Sequence, residues 1–152
     1  MKEKATSPSS ASLGAALAAL ALLPTIAVAA GANPLTQERW KTRPVVVVVP
    51  APDAPLLKRI ASALGQTATR EAFVEREMVL YTVVAGDGRR NDQPLDARQT
   101  RALLDALKLD AAGPPTFVLV GKDGGVKLKE GAEVDLGAVF AEIDRMPMRR
   151  QR

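Results

Sequence analysis

The chain has 152 residues and a formal net charge of +4, with 25% charged and 3% aromatic side chains. It contains no cysteine and no histidine, which excludes thiol redox chemistry, disulfides, Cys/His zinc sites and Ser-His catalysis. The small positive surplus lacks aromatic residues interleaved with the basic ones, so nucleic acid is not an expected partner.

The first residues have the pattern of an export signal. Two lysines precede an Ala/Leu-rich stretch at residues 11–23, Pro24 interrupts it, and residues 27–29 (Ala-Val-Ala) fit a cleavage site. We therefore expect residues 1–30 to be a signal peptide and residues 31–42 a connecting segment. The mature protein would be periplasmic or extracellular, with no stable membrane span. The alternative is an uncleaved anchor, whose insertion the alanines and Pro24 would weaken.

The folded domain is expected to span residues 43–146 and to begin with a strand. Five consecutive valines follow Arg43 and Pro44, and such a run is typical of a central strand that is buried on both faces. Trp40, the single tryptophan, precedes this strand. Its indole either packs over one end of the core or provides a stacking surface for a ligand, and Arg43 is a candidate binding residue at the same end.

Asp53 follows the valine strand and is predicted to be the N-cap of a helix. It is also the one carboxylate expected at this corner of the sheet, which makes it a further candidate binding residue. The polar stretch at residues 66–77 is interpreted as a loop, with Phe73 turned inward. A second hydrophobic strand is predicted at residues 78–84.

Residues 86–93 are interpreted as a glycine-containing loop. Asp87 and Asp92 are conceivable calcium ligands, but Arg89 and Arg90 lie between them and the spacing is not that of an EF-hand. No metal site is therefore expected.

The next stretch predicts a helix followed by a hairpin. Asp96 and Gln99 form a capping-box pattern at the start of the helix. A strand is predicted at residues 116–120, and the alternation after residue 125 predicts a half-buried edge strand. The turn between the two strands, also a possible binding loop, consists of Lys122, Asp123, Gly124 and Gly125.

The end of the chain is predicted to be a helix capped by Asp135 and a basic tail at residues 147–152. Arg149 and Arg150 in this tail have two interpretations. They either complement the dipole of the last helix or bind an acidic partner or a phospholipid surface.

The predicted order is strand, helix, strand, helix, strand, turn, strand, helix. Right-handed crossovers would make the first three strands parallel and the last antiparallel. The expected fold is a three-layer α/β/α sandwich around a four-stranded mixed sheet with an antiparallel C-terminal hairpin. This order resembles the minimal thioredoxin fold, which implies a cis peptide bond between Pro114 and Pro115. The resemblance also places a redox Cys-x-x-Cys pair at Ala51–Ala54, where this chain has no sulfur.

A more specific family resemblance rests on three segments that span the chain from about Arg39 to Arg150. They are similar to the family called domain of unknown function 4174, and they read RWK with Arg43-Pro44, LVGKDGGVK at residues 119–127, and IDRMPMRR at residues 143–150. The resemblance implies a thioredoxin-like or peroxiredoxin-like fold. It also implies export, because members are exported bacterial proteins or parts of secreted animal matrix proteins. The family has no established activity, so no reaction or cofactor is implied.

We therefore interpret the chain as an exported, redox-inactive thioredoxin-like domain that binds an envelope protein or an anionic ligand without a cofactor. The expected contacts are the basic tail and the end of the sheet near Trp40 and Arg43. One alternative is a non-thiol hydrolase using carboxylates with Arg or Lys, which would need two carboxylates or an Arg–Asp pair in one cleft. The other alternative is a self-associating structural module.

Overall fold

The structure, a computed structural model, describes residues 32–147. The predicted signal peptide, Arg149 and Arg150 lie outside the described residues. Within this range the chain forms a 3-10 helix at Pro34–Glu38, four α-helices and a six-stranded mixed sheet. The strands and helices in chain order are β1 (Arg43–Val49), α1 (Pro55–Gly65), α2 (Thr67–Glu75), β2 (Met78–Val84), β3 (Asp87–Arg90), β4 (Gln93–Pro94), α3 (Ala97–Leu107), β5 (Thr116–Val120), β6 (Val126–Glu130) and α4 (Leu136–Arg145).

The valine strand β1 lies in the middle of the sheet, whose order is β4-β3-β2-β1-β5-β6. All seven residues of β1 are buried. Because side chains alternate along a strand, Val45, Val47 and Val49 pack against α1, α2 and α4, while Val46 and Val48 pack against α3 and the 3-10 helix. The prediction of a central strand buried on both faces is confirmed.

The sheet has two more strands than the four predicted, because residues 86–93 form part of a meander and not a loop. β3 pairs antiparallel with β2, and β4 pairs antiparallel with β3. Both connections are two-residue turns with positive φ, at Ala85 and Gly86 and at Asn91 and Asp92. This backbone conformation matches the twist of adjacent strands and closes tight hairpins.

The direction of β5 also differs from the prediction. β1 and β2 are parallel, but β5 is antiparallel to β1. The reason is the path of the preceding crossover. The end of α3 lies near the 3-10 helix, where Leu107 and Leu35 line one cavity. The chain then returns along the same face of the sheet, where Leu109 and Ala111 pack. β5 therefore begins with Thr116 opposite Val48, near the far end of β1. The β5–β6 hairpin is antiparallel as predicted.

Helix boundaries follow local rules, with two corrections. The stretch predicted as a loop contains α2, on which Phe73 is buried. The N-cap of α1 is Ala54, without a side-chain cap, because Pro55 opens the helix and Asp53 stays exposed in the preceding turn. The predicted cap of α4 is confirmed: Asp135 accepts a 3.0 Å hydrogen bond from the amide of Gly137.

The capping box of α3 is confirmed in full. Asp96 Oδ1 accepts from the amide of Gln99 at 2.7 Å, and the Gln99 side chain accepts from the amide of Asp96 at 3.0 Å. The predicted cis bond before Pro115 is wrong, since every peptide bond in residues 32–147 is trans. Trans is the intrinsically favoured isomer even before proline. No helix in the same range is long and apolar enough to cross a bilayer.

Candidate functional site

An open cleft of about 530 Å³ lies at the end of the sheet where β1 and β2 begin. Its walls come from three stretches that are far apart in the sequence: the segment before β1, the β5–β6 turn and the end of α4. These are the stretches on which the family resemblance rests. The lining residues are Trp40, Arg43, Gly121, Lys122, Asp123, Lys127, Glu142, Arg145, Met146 and Pro147.

Trp40 forms one wall of this cleft and is 63% exposed. Its backbone has φ +66, a left-handed conformation that is strained for a bulky residue by about 1–3 kcal/mol. The Arg39 guanidinium lies 6.0 Å from the centre of the indole ring. The interpretation of Trp40 as a cover over the core is therefore wrong, because the left-handed turn leaves the ring at the surface. Its role as a stacking surface remains a prediction.

The β5–β6 turn forms another wall of the cleft, next to the segment that carries Trp40. Asp123 accepts hydrogen bonds from the amide of Gly125 at 3.0 Å and from Lys127 Nζ at 2.8 Å. The lysine bond, followed by the backbone bond, lowers the pKa of Asp123 below its usual value. Gly124 has φ +85, and Arg39 side-chain atoms lie as close as 3.2 Å to where its Cβ would be. The turn thus has the backbone-bonded form predicted for it, and it is packed against the segment that carries Trp40.

The inner side of the cleft is cationic and firmly held. Arg43 and Lys122 are both buried, and both pair with Glu77, with Arg43 Nη1 at 3.5 Å from Glu77 Oε2. Arg43 Nη1 also donates to the carbonyl oxygen of Arg76 at 2.9 Å. Arg76 in turn forms a bidentate pair with Asp144, at 3.1 and 2.8 Å. These bonds join the first residues of β1 and β2 to the β5–β6 turn and to α4.

Glu77 and Arg76 were not candidates from the sequence. They lie in the stretch interpreted as a loop, and their importance comes from the place where β2 begins beside β1. Asp144 belongs to the segment at residues 143–150 on which the family resemblance rests, and its pairing with Arg76 has a structural role. Met146, which ends the predicted domain, and Pro147, which begins the predicted tail, both line the cleft.

The other candidate residues lie elsewhere. Asp53 follows the carboxyl end of β1 whereas Arg43 begins that strand, and a seven-residue strand separates its ends by roughly 20 Å. Asp53 and the cleft therefore do not form one site. Pro115, just before β5, belongs to the same distant end of the sheet as Asp53.

A buried carboxylate at the end of the 3-10 helix was also not predicted from the sequence. Glu38 Oε1 accepts hydrogen bonds from the Tyr81 hydroxyl and from Arg90 Nε, both at 2.7 Å, and Oε2 accepts from the Thr42 hydroxyl at 2.6 Å. Burial raises the pKa of Glu38, but the bonds from Arg90, Thr42 and Tyr81 outweigh it and leave the pKa below its usual value. Glu38 thus ties the segment before β1 to β2 and β3.

A second cavity of about 530 Å³ lies between α1, α2 and α4. Its two charged lining residues are engaged in the fold: Arg59 donates to Glu133 at 3.0 Å, and Asp135 caps α4. Most of the other lining residues are apolar. The cleft beside Trp40 is the stronger candidate because an exposed aromatic ring and several charged groups converge there.

The chemistry of the cleft favours binding. Its two carboxylates are each paired with a cation, Asp123 with Lys127 at 2.8 Å and Glu142 with Arg145 at 2.6 Å. The lowered pKa of Asp123 keeps it ionised, which is unsuited to a general acid. Residues 32–147 contain no group of three or more Asp, Glu, Cys or His placed to hold a metal ion.

Comparison with known proteins gives one finding. The family model for a domain of unknown function (DUF4174) matches residues 34–152, a range that begins with the 3-10 helix and includes every element lining the cleft. No curated protein and no solved structure matches the chain.

Proposed function

The chain belongs to the family of the domain of unknown function DUF4174, and on that premise we propose that it is an exported, thioredoxin-like binding domain without redox activity. The proposed partner is a protein of the cell envelope that presents an anionic group to the cleft beside Trp40. No cofactor takes part in this function.

The arrangement of the strands supports the thioredoxin-like part of the proposal, and the composition supports the absence of redox activity. The strands β2-β1-β5-β6 are four adjacent strands that have helices on both faces and end in an antiparallel hairpin, as expected, although β5 is antiparallel to β1. The β3–β4 hairpin is then an addition at one edge. The whole sequence lacks cysteine, so a domain of this type would act by recognition.

The observation that carries the proposal is the exposed indole of Trp40 on a strained backbone. Exposing a large aromatic side chain forfeits the stabilisation its burial would provide, and the left-handed backbone adds a further cost. Exposed tryptophans are common anchors in protein interfaces, because the ring offers a large rigid contact area with one polar N–H. A binding role accounts for both costs.

The charges of the cleft indicate the chemistry of the partner. Cationic side chains outnumber carboxylates among the lining residues, and Glu77 behind Arg43 and Lys122 reduces the excess without reversing it. A positive cleft favours an anionic group on the partner. Arg43 and Lys122 are already held in place, so little side-chain ordering would accompany binding.

Site-specific photo-crosslinking in the producing cells tests this function. A benzoylphenylalanine replaces Trp40 in the full chain, and a matched chain carries it at Val74, which is 67% exposed on α2 and does not line the cleft. We expect a discrete crosslinked protein from position 40, in the envelope fraction, and none from position 74. No product from position 40, or the same products from both positions, would refute the binding function. A cytoplasmic chain would refute export.

The hydrolase alternative has less support. The cleft does contain two carboxylates, but each has a cationic partner. Self-association remains an alternative, which the experiments of the next section also address.

A further inference from the structure

The sheet has one long exposed edge. β6 is the last strand in the sheet order and is paired with β5 alone in the described part of the chain, whereas the opposite edge, β4, has two residues. β6 has five residues, and Val126 at its start is 51% exposed. An edge strand offers unpaired main-chain N–H and C=O groups to another extended chain.

A groove lies beside this edge and next to the cleft. The β6–α4 groove, a cavity of about 370 Å³, is lined by Leu128 and Glu130 of β6 and by Ala138 of α4. It shares Glu142 and Arg145 with the cleft, and Lys127, next to Leu128, lines the cleft itself. The cleft and the groove are therefore neighbours, with the Glu142–Arg145 ion pair between them. Both side chains of that pair are substantially exposed, so displacing it costs little.

The charge changes sign along this path. Apart from the shared ion pair, the charged residues of the cleft are Arg43, Lys122, Lys127 and Asp123, and those of the groove are Glu130, Glu133 and Asp135. Glu77 offsets one cation at the cleft end, and Arg59 offsets one carboxylate at the groove end. The cleft end remains positive and the groove end negative.

We propose that the cleft and the β6–α4 groove together bind an extended polypeptide segment of the partner, whose backbone pairs with the open edge of β6. Its acidic end lies beside Trp40, and its basic end lies beside Glu130 and Glu133. The five residues of β6 span roughly 17 Å, so the paired part of the segment has about five to seven residues. This inference rests on the proposed function and specifies the form of the partner.

Three features on the path favour a strand over a folded surface. The edge provides main-chain partners, the groove lies beside it between β6, the β6–α4 loop and α4, and the charge gradient fits a chain with opposite charges at its two ends. A second copy of this chain pairing through β6 is the competing occupant.

The first test is an N-methyl scan. Random twelve-residue peptides displayed on phage are selected on the full chain, and the tightest binder is synthesised with each amide methylated in turn. Strand pairing predicts that methylation at every second position weakens binding at least about tenfold, because alternate amides of a strand face the same neighbour. Methylation of the amides at the intervening positions should leave binding unchanged, because those amides face away from β6. A selection without binders, or sensitivity without alternation, would overturn the inference.

The second test locates the peptide on the chain. Ala138→Trp fills the groove, while Ala141→Trp places the same ring on another exposed position of α4 that does not line the groove. We expect A138W to weaken the selected peptide at least about tenfold and A141W to leave it unchanged. Equal effects of the two variants would overturn the inference. Circular dichroism checks that both variants are folded.

The outcomes separate this inference from the proposed function. A specific crosslink from position 40, together with failure of either peptide test, would support the binding function but refute the pairing of an extended partner segment with β6. Sedimentation that shows wild-type dimers and monomeric A138W would assign β6 to self-pairing, which also overturns the inference. Absence of the crosslink would remove the function itself.

Discussion

The backbone amide of Trp40 donates a 2.7 Å hydrogen bond to the carbonyl oxygen of Lys122. This bond fastens the segment before β1 to the β5–β6 turn, and Arg39 packs against Gly124 beside it. The position of the exposed indole therefore depends on the turn as much as on its own backbone. Substitutions at this junction can separate its contribution to stability from its contribution to binding.

Replacing Gly124 with alanine should destabilise the protein by about 1–2 kcal/mol, because φ is +85 and the new Cβ would meet the Arg39 side chain. Gly86→Ala is the control for backbone strain alone, since φ is +88 but the space is open. Gly131→Ala, in open space without a positive φ, should be neutral or slightly stabilising. Urea unfolding at neutral pH measures all three. A loss at Gly124 no larger than that at Gly86 would contradict the packing of Arg39 against this turn.

Replacing Trp40 with glycine should change the free energy of unfolding by less than about 1 kcal/mol, because glycine relieves the left-handed backbone and few packing contacts are lost. Val74→Gly, equally exposed but inside α2, should cost about 1 kcal/mol through helix propensity. Circular dichroism follows unfolding, since the variant has no tryptophan. A loss above about 2 kcal/mol would mean that the indole is a structural cover after all.

Replacing Glu38 with glutamine should destabilise the protein by about 2 kcal/mol, because the buried carboxylate accepts hydrogen bonds from Tyr81, Arg90 and Thr42. Glu133→Gln, which breaks an exposed pair with Arg59, should cost less than about 0.5 kcal/mol. Urea unfolding at pH 7 compares the two. Equal effects would show that Glu38 is not the anchor we describe.

The effect of Glu38→Gln should also depend on pH. The folded pKa of Glu38 lies below its usual value, so its contribution is present above the unfolded pKa of about 4.3 and is lost as pH falls through the lower folded pKa. The stability difference between wild type and variant should therefore narrow below about pH 4. Unfolding curves at successive pH values measure it, and a difference that stays constant through this range would contradict the assignment.

Tyr81 is the single tyrosine, so alkaline absorbance titration reports it alone. Burial, followed by its hydrogen bond to Glu38, raises its pKa above the usual value of about 10. The native protein should form tyrosinate only well above that pH, and the urea-unfolded chain near it. The contribution of Tyr81 to stability is present below the unfolded pKa and is lost as pH rises through the folded one. In the native Glu38→Gln variant, tyrosinate should form at a lower pH than in the native wild type. An unchanged titration would contradict the hydrogen bond between Tyr81 and Glu38.

The two strongly hydrophobic strands, β1 and β2, were predictable from the sequence alone. Their boundaries match the prediction within a residue, because an apolar run of this length is typical of a strand buried in the core. The β3–β4 hairpin was missed because Asp87, Arg89 and Arg90 give it a polar composition. Asn91-Asp92 was a usable signal, since both residues tolerate the positive φ of a tight hairpin turn.

The cleft was predictable in part. Trp40 and Arg43 were candidates because of their residue types and their place before a central strand. Their convergence with Lys122 and Met146 depends on how the β5–β6 turn and α4 pack at the end of the sheet, which no local pattern contains. Glu77 was missed for the same reason, because its two cationic partners come from other strands and turns.

The β1 valines alternate between the two faces of the sheet, so this one strand is part of both hydrophobic clusters. Neither of the two hydrophobic clusters can unpack from the sheet without exposing β1. We therefore expect the β1 amides to exchange with solvent only when the domain unfolds globally. The cleft sits where that strand begins. A bound ligand would therefore slow deuterium uptake along the full length of β1, well beyond the residues it touches.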